Sequence, residues 1–536
     1  MTMRKKIFIL FTLILFGISF NAKAYDLFVV NESGDTIFYN ITSSSSPYTV
    51  EVTSTPANAN HYSGAITIPS TILYNEINYT VNSIGNSAFF NCPNLTSVII
   101  GDSVQTIGNA AFGDCSNLLS VYMPPSLTNI EQGAFRGCIN ISSVFLPSNL
   151  TTIGSNAFNS CASLRKLTIP SQVISIGDDA FKNCTGIDTI NYNSINCSIG
   201  NFIFNGCSSF SKLIVGQNVE IIPYKAFSEC THLTSVSLPN TITIISENAF
   251  SSCINLTSIN IPNSVNTIDK FAFKNCTSLT SINIPNSVST LGDEAFYGCT
   301  GLTSATISNS LTSIQKGAFY GCEGLISITI PSSVTIINEE AFAGCRALTT
   351  IDLGTSITTI GKSAFNECNN LSTINLPSTI TLIDSLAFSF CNNLSSITCQ
   401  AIMPPVVNYR AFYNVHNYIP VYVQCPSVEL YLNSEYWSNF INITCDVGLN
   451  DISNIELQTK LYPNPTQERT TLEIQGLKTN TDVIIYDYLG RTIKTYKLNA
   501  GQKELEINLT GFSSGLYNVK IINNDYNITK KLIVND

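Results

Sequence analysis

The chain has 536 residues, enough for about three to four domains at roughly 150 residues each. Its 44% hydrophobic content suits a large core, and only 12% of residues are Asp, Glu, Lys or Arg, against roughly 25% in ordinary soluble domains. That balance excludes charge-driven disorder, and the net charge of −10 argues against a basic surface for nucleic acid or anionic membrane. His61, His232, His416 and the single tryptophan, Trp437, leave little for histidine-dependent catalysis.

Residues 1–24 read as a secretory signal. Arg4, Lys5 and Lys6 precede an apolar run from Ile7 to Phe20, and Ala22-Lys23-Ala24 supplies a small-x-small cleavage site at Ala22 and Ala24. The run is short for a membrane span, and no other stretch approaches spanning length. Residues 25–83 read as an N-terminal β cap. Ala65–Pro69 is half a coil, and the alternating segment Leu73–Val81 turns around Asn75-Glu76 as a hairpin.

Residues 84–410 carry fourteen coils. Fourteen cysteines run from Cys92 to Cys391 in thirteen steps of 23, each with Phe three residues before it, from Phe89 to Phe388. Ala precedes that Phe in every coil except at Ile203. An unbroken period of this length makes a solenoid, in which each coil buries its apolar side against its neighbours. In Leu279–Ile284 the alternation places Ile282 and Ile284 inward and Ser281 and Asn283 outward, which is a strand. Pro285 ends it. Ala295, Cys299 and Leu302, spaced i, i+4, i+7, predict a short helix on the other side of the coil. A parallel sheet with one strand per coil follows, and each buried Phe is worth roughly 1.5–3 kcal/mol.

One cysteine per coil makes a line, which cannot close a tetrahedral metal site, and stacked side chains point in parallel where a disulfide needs them to converge. The slot therefore reads as buried packing thiols, and no cofactor is expected. Residues 411–445 read as a closing coil and cap: Ala411–Val415 repeats the motif with Val in the cysteine slot, Tyr418, Val421 and Val423 continue it, and Tyr431–Ile443 covers the end. A bridge between Cys425 and Cys445 is left open. Residues 446–460 read as a linker, and 461–536 as a small β-sandwich of short alternating segments separated by glycine turns.

Leu-x-x-Ile-x-Ile-Pro followed by Ile-Gly-x-x-Ala-Phe-x-x-Cys resembles the 23-residue leucine-rich repeat of BspA-like bacterial surface proteins, over roughly residues 60 to 445. Residues 461–536 resemble the type A sorting domain of type IX secretion. The matching residues are Tyr462, Pro463, Asn464 and Pro465, then Gly490 and Arg491, then Gly515, Leu516 and Tyr517, and finally Lys530 and Lys531. The resemblances imply handling by the type IX machinery, passage across a Gram-negative outer membrane, and a place on the cell surface or in the medium. They also imply contact with host or bacterial macromolecules.

Outward strand positions are mostly Ser, Thr or Asn, but the first coils differ. Ile99, Tyr122 and Phe145 occupy equivalent positions, Leu119 stands nearby, and Arg165, Lys166 and Lys212 follow. An apolar stripe beside a basic edge is the expected binding patch; burial beneath the N-terminal cap is the alternative. No Gly-rich phosphate loop, metal cluster or nucleophilic triad is present, so the sequence reads as non-enzymatic. The expected function is an exported, adhesin-like binder of protein or glycan. The alternative is a structural stalk or coat component, which the near-identical coils around Ile259–Ile284 suit.

Overall fold

The computed structural model describes residues 25–31, 34–55, 62–445, 458–475, 477, 480–522 and 527–535. The signal-peptide reading, with Ala22 and Ala24, and the linker reading over 446–457 lie outside them. The chain divides into two units, Met1–Leu164 and Arg165–Asp536.

In the first unit the cap is a β-meander. Leu27–Val30, Thr36–Ser43 and Thr49–Thr53 pair antiparallel in order, and Thr49–Thr53 then joins Ile77–Ile84 in parallel. Thr71–Tyr74 folds back on Ile77–Ile84 as the expected hairpin. Asn75 and Glu76 both take positive φ (50° and 64°), the conformation that matches a two-residue turn to the strand twist. Gly64–Ile68 pairs with Leu95–Ile100, which pairs with Ser120–Tyr122.

Most coils contribute two strands. The expected strand recurs in the second unit as Lys166–Ile169, Thr189–Tyr192, Lys212–Val215 and Ser235–Ser237, in register, and again from Ser281–Asn283 to Thr350–Asp352. A second ladder, unforeseen from the sequence, is built from two-residue strands such as Ile336–Ile337, Thr359–Ile360 and Leu382–Ile383. Ile337, Ile360 and Ile383 are fully buried in it.

The predicted short helices are absent from the described coils, which turn there instead. Glu294 and Gly298 adopt left-handed φ of 53° and 69°, and two such residues four apart cannot lie in a right-handed helix. The backbone donors explain why. The amides of Glu294, Phe296 and Gly298 donate to Lys316, Ala318 and Tyr320 of the next coil at 2.7–2.9 Å. A helix would use those same groups internally, so the turn side becomes a further set of bonds between coils.

The phenylalanines stack face to face. From Phe250 to Phe412 the ring centroids stand 5.2–5.5 Å apart, with planes within 11° of parallel. Trp437 and Phe440 close that stack against Phe412 at 5.7 and 5.5 Å, and in the first unit Tyr62 tilts against Phe89. Val421–Val423 and Ile443–Cys445 add two further parallel strands, and Cys425 and Cys445 form a disulfide. Within the closing coil Ile419 is buried, whereas Tyr418 points outward, stacked on His416. In the closing coil Ile419 is thus the buried residue of this pair, and Val421 and Val423 are buried beyond it.

The C-terminal region is a sandwich of a three-stranded and a four-stranded antiparallel sheet. Its first strand, Gln458–Tyr462, begins slightly before residue 461. Leu472, Ile474, Val483, Ile485, Ile507, Val519, Ile521 and Leu532 form its core. Among the described residues no helix is long and apolar enough to cross a membrane.

Candidate functional site

The expected apolar stripe lies on the outward face of the first unit. Ile99 and Tyr122 are direct partners across parallel strands and are 53% and 52% exposed. Leu119, just before the Tyr122 strand, is exposed as well. The N-terminal cap leaves these side chains open: the cap residue paired with Ile99 is Thr67, itself exposed. Phe145 departs from the expected register. Residues 142–146 form no strand, so Phe145 stands beside the ladder instead of in it, 82% exposed.

Arg165 and Lys166 belong to the second unit. Lys166, Thr189 and Lys212 occupy successive rungs of one sheet, which places the two lysines about 10 Å apart. Arg165, Lys166 and Lys212 are all exposed.

The hydroxyls of the coils divide into two sets. Those just before the strands, such as Thr280, Thr303, Thr349 and Ser372, donate to a carbonyl one coil back at 3.0–3.2 Å. They join coils and are not free for a ligand. The strand positions Ser281, Asn283, Ser304 and Thr306 face solvent and make up the open polar surface.

The cysteine ladder carries a contact that spacing could not reveal. Cys276, Cys299 and Cys322 donate their thiols to the carbonyls of Phe250, Phe273 and Phe296 in the preceding coil, at 3.2–3.3 Å. Burial pushes the Cys299, Cys345 and Cys391 thiols up to about 12, so at neutral pH they are protonated donors and poor nucleophiles.

The sorting-domain residues are largely architectural. Asn464 donates to the Lys531 carbonyl at 2.6 Å and accepts from the Ile533 amide at 2.8 Å, tying the first loop to the last strand. Thr470 donates to the Pro463 carbonyl. Buried Asp487 accepts from the Leu489 and Arg491 amides and pairs with the Arg491 guanidinium at 2.8 Å, closing a turn that Gly490 completes at φ +78°. Tyr517 donates to the Ser513 carbonyl. Tyr462, Leu516 and Lys531 remain exposed, and Leu516 pairs across strands with Ile533.

Sequence reasoning missed a cleft between the closing coil and the cap, lined by Tyr409, Arg410, Tyr413 and Tyr436 among others. The available signal was composition: the last repeat, Tyr409-Arg410-Ala411-Phe412-Tyr413, places tyrosine on both sides of the motif.

Comparison with known proteins agrees with this architecture. The BspA type leucine rich repeat region matches residues 82–210, 197–326 and 289–419, and the secretion system C-terminal sorting domain matches residues 460–535. A leucine-rich repeat protein from Bacteroides ovatus is 34% identical, with a TM-score of 0.57 over 70% of this chain and 94% of that one. A leucine rich cell surface protein from Faecalibacterium prausnitzii is 26% identical, with a TM-score of 0.33 over 66% of this chain and 95% of that one. A leucine-rich repeat protein from Eubacterium ventriosum is 21% identical, with a TM-score of 0.36 over 67% and 93%. No curated protein matches the chain. Repeat matches spanning residues 82 to 419 and a sorting domain at residues 460–535 lead to one conclusion: the chain belongs to the BspA-type leucine-rich repeat family and is directed by type IX secretion to the cell surface.

Proposed function

We propose that this surface protein is a non-enzymatic, adhesin-like binder that engages an extracellular protein or glycan through the apolar stripe of its first coils. The carrying observation is the exposure of Ile99, Leu119, Tyr122 and Phe145 on a face whose later counterparts are Asn283, Thr306 and Thr329. A cluster of large apolar side chains held open to water loses hydration cost when a partner covers it. Rigid aromatic anchors concentrate binding energy at little entropic cost.

The test is binding of the purified chain to an array of matrix proteins, mucins and bacterial glycans, beside a Tyr122→Ser, Phe145→Ser variant of unchanged circular dichroism. Saturable binding that falls at least tenfold in the variant supports the reading. Binding that the variant retains moves the site elsewhere. A specific observation favours the second reading, a structural stalk without a dedicated ligand: many hydroxyls of the coils are already used between coils. Binding to no member of the array would favour the stalk.

A further inference from the structure

We propose that the cleft between the closing coil and the C-terminal cap is a second binding site, for a carboxylate-bearing sugar residue such as a uronate or a sialate. The cleft is about 290 Å³, just below the roughly 300–1,000 Å³ range of ligand pockets and of a size for one sugar ring. Its wall is aromatic, its rim is amide, and it holds one cation.

Arg410 is that cation. Its guanidinium carbon sits 4.8 Å from the Tyr409 ring centroid and 4.9 Å from that of Tyr413. Tyr413 is itself held edge-on against Phe390 at 5.5 Å. Two rings that hold the guanidinium already cover part of the entropic cost of ordering a long side chain, and they leave a planar fork of N–H donors for a bidentate acceptor. Several cations elsewhere on the turn side of the array are matched to acids of neighbouring coils, although Lys225, set over Tyr224 much as Arg410 is set over its tyrosines, is not. Lys274 pairs with Glu294, Lys316 and Lys362 share Glu339, and Arg346 bridges Glu323 and Glu367. Arg410 has no such partner among the described residues. Its charge is available for an anion from outside.

The remaining groups fit a sugar. Asn417 and Asn439 line the same cleft and are exposed, and their side-chain amides are available to meet ring hydroxyls. Tyr436 offers an aromatic face from the cap and is held at φ 65°, ψ −38°, an unfavourable backbone conformation for a bulky residue. Strain of this type gathers at ligand clamps. A carboxylate on Arg410, hydroxyls on the two asparagines and C–H faces on the tyrosines would use the polar and tyrosine side chains that line the cleft. This site is independent of the apolar stripe of the first coils.

The experiment is calorimetric titration of the full-length chain, at about 150 mM salt, with a glucuronate-containing hyaluronan tetrasaccharide, with sialyllactose, and with lactose as the neutral control. Saturable binding of either acidic probe, at least tenfold tighter than lactose and weakened at least tenfold by Arg410→Gln, is expected. The tighter of the two probes tells a uronate polymer from a sialylated glycan as the source. Arg410 is exposed, so R410Q should keep its melting temperature, and Asn439→Ala serves as a second variant with a smaller loss. Absence of binding at millimolar probe, equal binding of lactose, or acidic binding unchanged in both variants would each overturn the proposal.

Discussion

The solenoid and the C-terminal sandwich solve the same burial problem in opposite ways. In the solenoid each core slot stacks on a copy of itself: Phe296 touches Phe273 and Phe319, and Ile337 pairs with Ile360. In the sandwich unlike residues from seven strands converge on one cluster, and Asn464 joins segments 67 and 69 residues away. The solenoid is therefore a sum of nearest-neighbour terms, whereas the sandwich is one cooperative unit. The repeated slot also multiplies any chemical property of the residue that fills it, and here that residue is a thiol.

The largest expected effect follows from that multiplication. Desolvation holds Cys138, Cys299, Cys345 and Cys391 up at about 12, while an unfolded thiol titrates near about 8.5. Below that value both states carry the proton and stability is unaffected. Between roughly 8.5 and 12 the unfolded chain loses protons that the folded chain keeps, so stability falls on the order of 1.4 kcal/mol per thiol per pH unit. Limited proteolysis read by mass spectrometry from pH 7.5 to 10.5 should show the coils opening steeply while the sandwich, which contains no cysteine, holds on. Equal loss in both regions would break the comparison.

A single large-to-small change should be next in size. Phe296→Ala removes one ring from a fully buried stack and should cost about 3–5 kcal/mol. If coils interact only with their neighbours, protection from hydrogen exchange should drop most between residues 273 and 319 and leave the sandwich unchanged. Uniform loss along the whole second unit would mean that its coils fold as one block.

How much of this was legible depends on whether the cause is local. The 23-residue period marks coil, strand and core slot directly, because residues such as Phe296 and Ile282 stack on their own counterparts in neighbouring coils. The helix expectation failed because Ala295, Cys299 and Leu302 would share a face of a helix and also share the inside of a turn. Only the destination of the Glu294, Phe296 and Gly298 amides separates the two, and sequence does not display it. The two-residue ladder was too short for alternation to reveal. Tyr122 was placed correctly on an open face, whereas Phe145 was assigned a register that residues 142–146 do not adopt. The cleft around Arg410 joins residues of the closing coil to Tyr436 and Asn439 of the cap, a meeting that no local pattern encodes.

The smallest expected effect isolates what the cysteine slot contributes beyond volume. The Phe273 carbonyl already accepts the Cys276 amide at 3.2 Å, and the Cys299 thiol occupies its second lone pair at 3.2 Å. Cys299→Val removes the donor and adds one methyl to a fully buried slot, so it should cost about 0.5–1.5 kcal/mol for the lost hydrogen bond, with the extra packing volume on top. Val415 fills the same slot in the closing coil, where the array tolerates the loss once. Cys299→Ser keeps a donor but buries a more polar group, and its stability relative to Val separates the two contributions. Urea denaturation of the three proteins measures both terms. A Val variant at least as stable as the parent would reduce the thiol to filler, and the ladder of fourteen cysteines would then be a matter of shape alone.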